Sequence, residues 1–163
     1  MKTSRRRVLL ALGSTVLVPV LGTEASAQTA SRADRAFESL SRRWIDRSMR
    51  YSPISATTIG DHRFDNRIDD VSAAGRNAAL RFAHDTLRQL NAIEAAQLSR
   101  ANQVDALILA NALNAQIWQT ETLQNWAWNP LGYQSLAGGA LYGLMAREFA
   151  PMPQRLESAT SRL

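Results

Sequence analysis

The sequence predicts an all-α fold, an irregular multi-helix array that forms an incomplete portion of a larger helical domain. Three observations carry this expectation. No segment alternates apolar and polar residues over a strand's length. Apolar residues instead recur every three or four positions along most of the chain after residue 33, the spacing of one helix face. The last of these faces, Leu156, Ala159 and Leu163, runs to the final residue with no Gly or Asn cap and no polar tail, so the sequence is expected to be truncated there.

The first element is not part of the fold. Lys2, Arg5, Arg6 and Arg7 form a basic region, Val8 to Gly22 an apolar one, and Ala25-Ser26-Ala27 supplies the small residues a signal peptidase requires. Residues 1–27 therefore read as a signal peptide cleaved between Ala27 and Gln28, and residues 28–163 as the exported portion, periplasmic or secreted. Ser4-Arg5-Arg6-Arg7-Val8-Leu9 matches the twin-arginine export pattern, with Val8 where phenylalanine is usual. The apolar stretch is shorter than the ~20 residues a spanning helix needs and is broken by Gly13, Pro19 and Gly22, which excludes a stable membrane anchor. No cysteine is present to carry a lipid, a disulfide, a thiolate metal site or a thiol nucleophile.

In the exported portion, Phe37, Leu40, Trp44 and Ser48/Met49 predict a helix over Ala33–Tyr51. Ser52-Pro53 reads as an N-cap with proline in the first turn, and Gly60 as a left-handed C-terminal cap, so Pro53–Ile59 is a two-turn helix. Asp61 to Asp70 is charged and aperiodic, a loop. Ser72 caps a helix whose inner face is Ala79, Phe82, Thr86, Leu90 and Ile93, with a break near Ser99 to Ala101. A fourth helix runs through Val104, Leu107, Ile108, Ala112, Ala115 and Trp118 and ends before Pro130, because proline disfavours helical geometry in the residue ahead of it. Leu136–Phe149 is a further helix, with Gly139 and Gly143 placed for close packing, and a last one starts near Pro153.

Charge excludes some functions. The formal net charge is +5, but removal of residues 1–27 takes away four basic residues and Glu24, leaving +2. That is too little to argue for a nucleic-acid partner. The only lysine lies in the leader.

The dense polar cluster is the loop of Asp61, His62, Asp65 and Asp69. These four could line a substrate cleft or hold a metal. Their spacing fits neither an EF-hand nor H-E-x-x-H, and Arg63 and Arg67 sit among them to offset their charge. The competing reading is a loop tied by Arg–Asp pairs with carboxylates at helix N-termini. His84 is a lone helical histidine and receives no role. No serine has a base partner, since only two histidines exist and neither lies near a nucleophile motif. Trp126-Ala127-Trp128-Asn129-Pro130-Leu131-Gly132-Tyr133 is read as a helix-terminating turn whose indoles fill the core, the alternative being a sugar or peptide platform.

Three segments resemble the bacterial domain-of-unknown-function family numbered 885. They are Pro53 to Gly60 with Asp61-His62-Arg63, Asp65 and Asp69-Asp70; Trp126 to Tyr133, close to that family's Trp-x-Trp-Asn-Pro-Leu-x-Tyr; and Arg147-Glu148-Phe149-Ala150-Pro151 followed by Arg155-Leu156 and Arg162-Leu163. The resemblance implies a helical, exported protein similar to zinc metallopeptidases. The family's H-E-x-x-H helix, in which two histidines bind zinc and the glutamate acts on the metal-bound water, has no counterpart in these residues. No catalytic, cofactor or metal residue is therefore assigned to this chain, and zinc is expected only in a longer protein. The expected partners are a missing C-terminal catalytic portion and a peptide substrate. The rival expectation is a complete, non-enzymatic periplasmic helical binding or scaffold module.

Overall fold

The structure is a computed structural model that describes residues 31–163. The signal peptide and the Ala27–Gln28 cleavage position lie outside the described residues. Those residues form an all-α array of seven α-helices: α1 (Arg32–Ser48), α2 (Pro53–Ile59), α3 (Ala73–Asn91), α4 (Arg100–Trp118), α5 (Asn125–Trp128), α6 (Pro130–Met145) and α7 (Met152–Ser161). None is long and apolar enough to cross a membrane.

Two packing units meet in this array. In the first, α1, α3 and α4 enclose Phe37, Leu40, Ala83, Leu90, Leu109 and Leu113, with Trp44, Leu87 and Ile117 closing the edges. Its polar clasp is Asp34. Ser31 and Asp34 form a reciprocal capping box at the start of α1. The same carboxylate accepts from the Ser99 backbone N–H at 2.9 Å and from Asn102 Nδ2 at 2.7 Å, joining the N-termini of α1 and α4. In the second unit, α2 lies against α6 and α6 against α7. Gly139 and Gly143 face α2, where an added Cβ would meet Ile54 Cγ2 at 3.5 Å and Thr57 Cγ2 at 3.7 Å. The approach is close, although an alanine would fit.

Several sequence expectations hold and several are corrected. Pro53–Ile59 forms as read, with Gly60 left-handed at φ 92°. Ser72 caps α3 through Gly75 N–H. Ser52 makes no side-chain cap to α2; that task falls to Asp69, whose Oδ1 accepts from Ile54 N–H at 3.0 Å. The fourth helix ends at Trp118, before Pro130 as expected. It widens into a π-helical turn at Gln119–Leu123, reverses at Gln124 with φ 52°, and gives way to α5. Helix α6 starts at Pro130 rather than Leu136, because Asn129 Oδ1 caps it through Leu131 N–H and proline occupies its first position.

Two faces depart from expectation. α4 buries Leu109 and Leu113, while the predicted inner residues Val104, Leu107, Ile108 and Trp118 are exposed. α7 buries Ala159 as expected, but beside it lie Arg155 and, at the C-cap, Arg162, while Leu156 and Leu163 are exposed. The indole of Trp128 is 62% exposed and does not fill the core.

Candidate functional site

The loop after α2 is the densest polar cluster in the sequence, and the structure divides its four residues among three tasks. Asp61 caps the short 3-10 turn His62–Phe64 and accepts from the Arg63 guanidinium at 2.7 and 2.9 Å. That guanidinium holds the Asp61 carboxyl below its ordinary range. Arg63 also reaches Asp46 of α1, so it ties the loop to the first packing unit.

His62 and Asp65 act together. His62 Nδ1 lies 2.9 Å from Asp65 Oδ2, and the imidazole stacks on Phe149 with ring centroids 3.8 Å apart. The other oxygen of Asp65 accepts from Thr57 Oγ1 at 2.6 Å. Thr57 Oγ1 in turn accepts from Arg162 Nη2 at 2.7 Å, and Arg162 Nη1 donates to the Ala140 carbonyl at 2.6 Å. This chain runs from a polar cleft of about 530 Å³ beside His62 down to a guanidinium with no exposed side-chain surface. Burial pushes the Arg162 pKa down, opposed by the charges of Asp65 and Asp69. Asp69 stands apart from Asp61, His62 and Asp65 at the head of α2. Burial pushes its carboxyl up, opposed by the Ile54 N–H and by Arg162.

These residues do not fit a zinc site. No three His, Asp or Glu side chains converge among the described residues. His62 Nδ1 is taken by Asp65, and His84 Nε2, on α3, is paired with Glu121 Oε1 at 2.9 Å. A catalytic zinc needs three protein ligands.

The larger cleft, about 600 Å³, lies between the Arg67–Val71 loop, the first turns of α3 and the aromatic turn before α6. Its aromatic wall is fixed by hydrogen bonds. Trp126 Nε1 donates to the Thr120 carbonyl at 3.1 Å, and Tyr133 Oη donates to the Trp126 carbonyl at 2.6 Å. The Arg76 guanidinium lies over the Trp126 ring, 4.0 Å from its centroid, and donates to the Val71 carbonyl. Gly75 is required at the rim, because a Cβ there would collide with the side chain and carbonyl of Asp70. Asp69 and Asp70 therefore line this cleft, not the one beside His62.

Sequence reasoning singled out Trp126 and Tyr133 as an alternative platform but missed the arginines. Arg155 is buried and donates to the carbonyls of Leu144, Met145 and Arg147, capping the C-terminal end of α6 where a cation is favoured. The available signal was the spacing of Arg155, Ala159 and Arg162, which places all three on one helix face.

The family model described as "Bacterial protein of unknown function (DUF885)" matches residues 53–163, from the first residue of α2 onward. A solved structure described as that of "a putative lipoprotein of unknown function from Shewanella oneidensis" superposes with a TM-score of 0.71 at 28% identity. The match covers 77% of this chain and 23% of that one, so the chain spans less than a quarter of that structure's length. No curated protein matches the chain.

Proposed function

The chain belongs to the DUF885 family of bacterial proteins, and from that premise we propose that it is the exported N-terminal helical part of a zinc-dependent, metallopeptidase-like protein. Its own task in this reading is non-catalytic: it forms one wall of a peptide-binding cleft. The observation that carries the proposal is the 600 Å³ cleft, whose aromatic wall is hydrogen-bonded to the protein's own backbone. Convergent polar groups on an apolar, pre-formed concavity are the usual makings of a ligand site. The peptidase half of the reading rests on the family resemblance, since the donor set of the described residues does not fit zinc. The partner is a C-terminal catalytic portion, and the exposed apolar row Val104, Leu107, Ile108 and Trp118 on α4 is the surface offered to it. Export through the N-terminal leader is compatible with the lipoprotein description of the Shewanella structure, although this chain has no cysteine to carry a lipid.

The first test is the reading frame beyond Leu163, which should continue into a segment bearing H-E-x-x-H. The second compares that longer protein with residues 28–163 on a mixed peptide library, with zinc and with chelator. Zinc-dependent cleavage by the longer protein alone is the expected result. A stop codon after Leu163, no cleavage by the longer protein, or metal-dependent cleavage by residues 28–163 would overturn the proposal.

A further inference from the structure

We infer that the 600 Å³ cleft takes the free C-terminal carboxylate of a peptide, held by Arg76 and Arg67, with an apolar or aromatic side chain lying along Trp126 and Tyr133. This deepens, and rests on, the reading of the cleft as a peptide-binding wall.

Three features set the ligand class. The first is the state of the cations. Arg76 is held between the Trp126 face and the Val71 carbonyl, while most of its five N–H donors remain unspent. Among the described residues, the guanidinium groups of Arg50 and Arg67 meet no acceptor, although both line the same cleft. A planar, pre-aimed guanidinium is the group suited to bidentate recognition of a carboxylate.

The second feature is the balance of charge. Three arginines line the cleft against two aspartates, Asp69 and Asp70. Asp70 already accepts from Ser72 N–H at 2.9 Å, and Asp69 from Ile54 N–H at 3.0 Å. The remaining single positive charge suits a monoanion. A phosphate dianion would meet the two carboxylates and be repelled.

The third is the wall itself. Trp126 and Tyr133 have their polar atoms satisfied by the protein, so the surface they offer a ligand is apolar. Leu136 and Ala79 extend it. A ligand with an apolar body and one carboxylate meets all three conditions.

The test is calorimetric titration of the full-length protein, in chelator so that no peptide is consumed. The probes are acetyl-Ala-Ala-Phe as the free acid, its C-terminal amide, and acetyl-Glu-Ala-Phe amide, with inorganic phosphate as competitor. The free acid should bind at least about tenfold more tightly than either amide, a difference near 1.4 kcal/mol, and phosphate should not displace it. Arg76→Gln and Arg67→Gln should each remove most of that preference, so that free acid and amide bind each variant with similar affinity. Arg67, exposed and without an acceptor, guards against a folding defect in the Arg76 variant. Equal affinity for acid and amide, equal affinity for the glutamate amide, displacement by phosphate, or no binding would each overturn the inference. Peptide hydrolysis by the zinc-loaded protein separates the two proposals. Cleavage with no acid preference would sink this inference alone, and an acid preference without cleavage would sink the peptidase reading alone.

Discussion

Arg162 is the residue whose removal should cost the fold most per atom. Its side chain is fully buried, Nη1 donates to the Ala140 carbonyl, Nη2 donates to Thr57 Oγ1, and Asp65 Oδ1 stands 4.0 Å away. Arg162→Met keeps much of the apolar stem and deletes the cation. The Ala140 carbonyl then loses its side-chain donor, and Asp65 loses the charge that offsets its own burial. Breaking one partner out of a buried ionic cluster costs ~3–5 kcal/mol, because the other is left uncompensated. The unpaired Nε of Arg162 argues for the lower half of that range, since the native site itself leaves one donor unsatisfied. Against a total stability of roughly 5–15 kcal/mol, this lowers the melting temperature on the order of 10–20 °C. The assay is urea and thermal unfolding followed by circular dichroism, on Arg162→Met, Asp65→Asn and the double variant. Coupling of at least ~1 kcal/mol between the two positions is expected. A loss below ~1 kcal/mol for Arg162→Met, or strict additivity, would show that the cluster does not hold α7 to α2.

Thr57→Val removes the hydroxyl that joins Asp65 to Arg162 and should cost ~1–3 kcal/mol, whereas Thr57→Ser should retain most of the stability; equal losses by chemical denaturation would refute the linkage. Asp69 has its pKa raised in the fold, so it binds its proton more readily folded than unfolded, and its ionisation penalty is present above the folded pKa and gone below the unfolded one. Asp69→Asn, which keeps an acceptor for Ile54 N–H, should therefore gain on the wild type at pH 7 and lose that advantage as the pH falls towards 3.8, read from midpoints across pH. Trp128→Ala should cost less than ~1.5 kcal/mol, since it gives up one exposed hydrogen bond to the Leu123 carbonyl, while Leu113→Ala in the core should cost ~2–5 kcal/mol; a reversed order of melting temperatures would place the indole inside. Replacing Arg5 and Arg6 with lysine should hold the precursor in the cytoplasm, because the export receptor needs the guanidinium pair, and mass spectrometry of exported protein should begin at Gln28.

The parts of the fold readable in sequence are those decided within one or two turns. Pro53 and Gly60 bracket α2 because each fixes a backbone angle locally. Ser72 caps α3 by the same logic. The inner face of α4 was not readable, because that helix carries two apolar rows. Val104, Leu107 and Ile108 form one, and Ala106, Leu109 and Leu113 the other. Periodicity cannot choose between them, and only the Leu109–Leu113 row meets α1 and α3. α7 misled for the opposite reason. Charged residues are almost never fully buried unless paired, so Leu156 and Leu163 looked like the inner face. The carbonyls and hydroxyl that make Arg155 and Arg162 tolerable inside come from α6 and α2, and no local pattern announces them. The cleft has the same history. Its aromatic wall is contiguous in sequence and was noticed, whereas Arg67 and Arg76 meet it only through tertiary packing.

Helix α2 explains why the two clefts depend on one another. A seven-residue helix is far below the length that holds in water alone, so its geometry is imposed by what grips its ends. Asp69 grips the N-terminus through Ile54, and Arg147 donates to the Thr58 carbonyl near the C-terminus at 2.6 Å. Thr57, between them, is seated on Arg162 and Asp65. Two of these grips also belong to a cleft: Asp69 lines the aromatic one, and Asp65 lines the polar one beside His62. Two carboxylates of the Asp61–Asp70 loop, Asp65 and Asp69, are thus spent on fixing a short helix. The arginine-lined cleft shares Asp69 with the seating of α2, and Asp69 also feels the charge of Arg162, which links the buried cluster to the cleft rim.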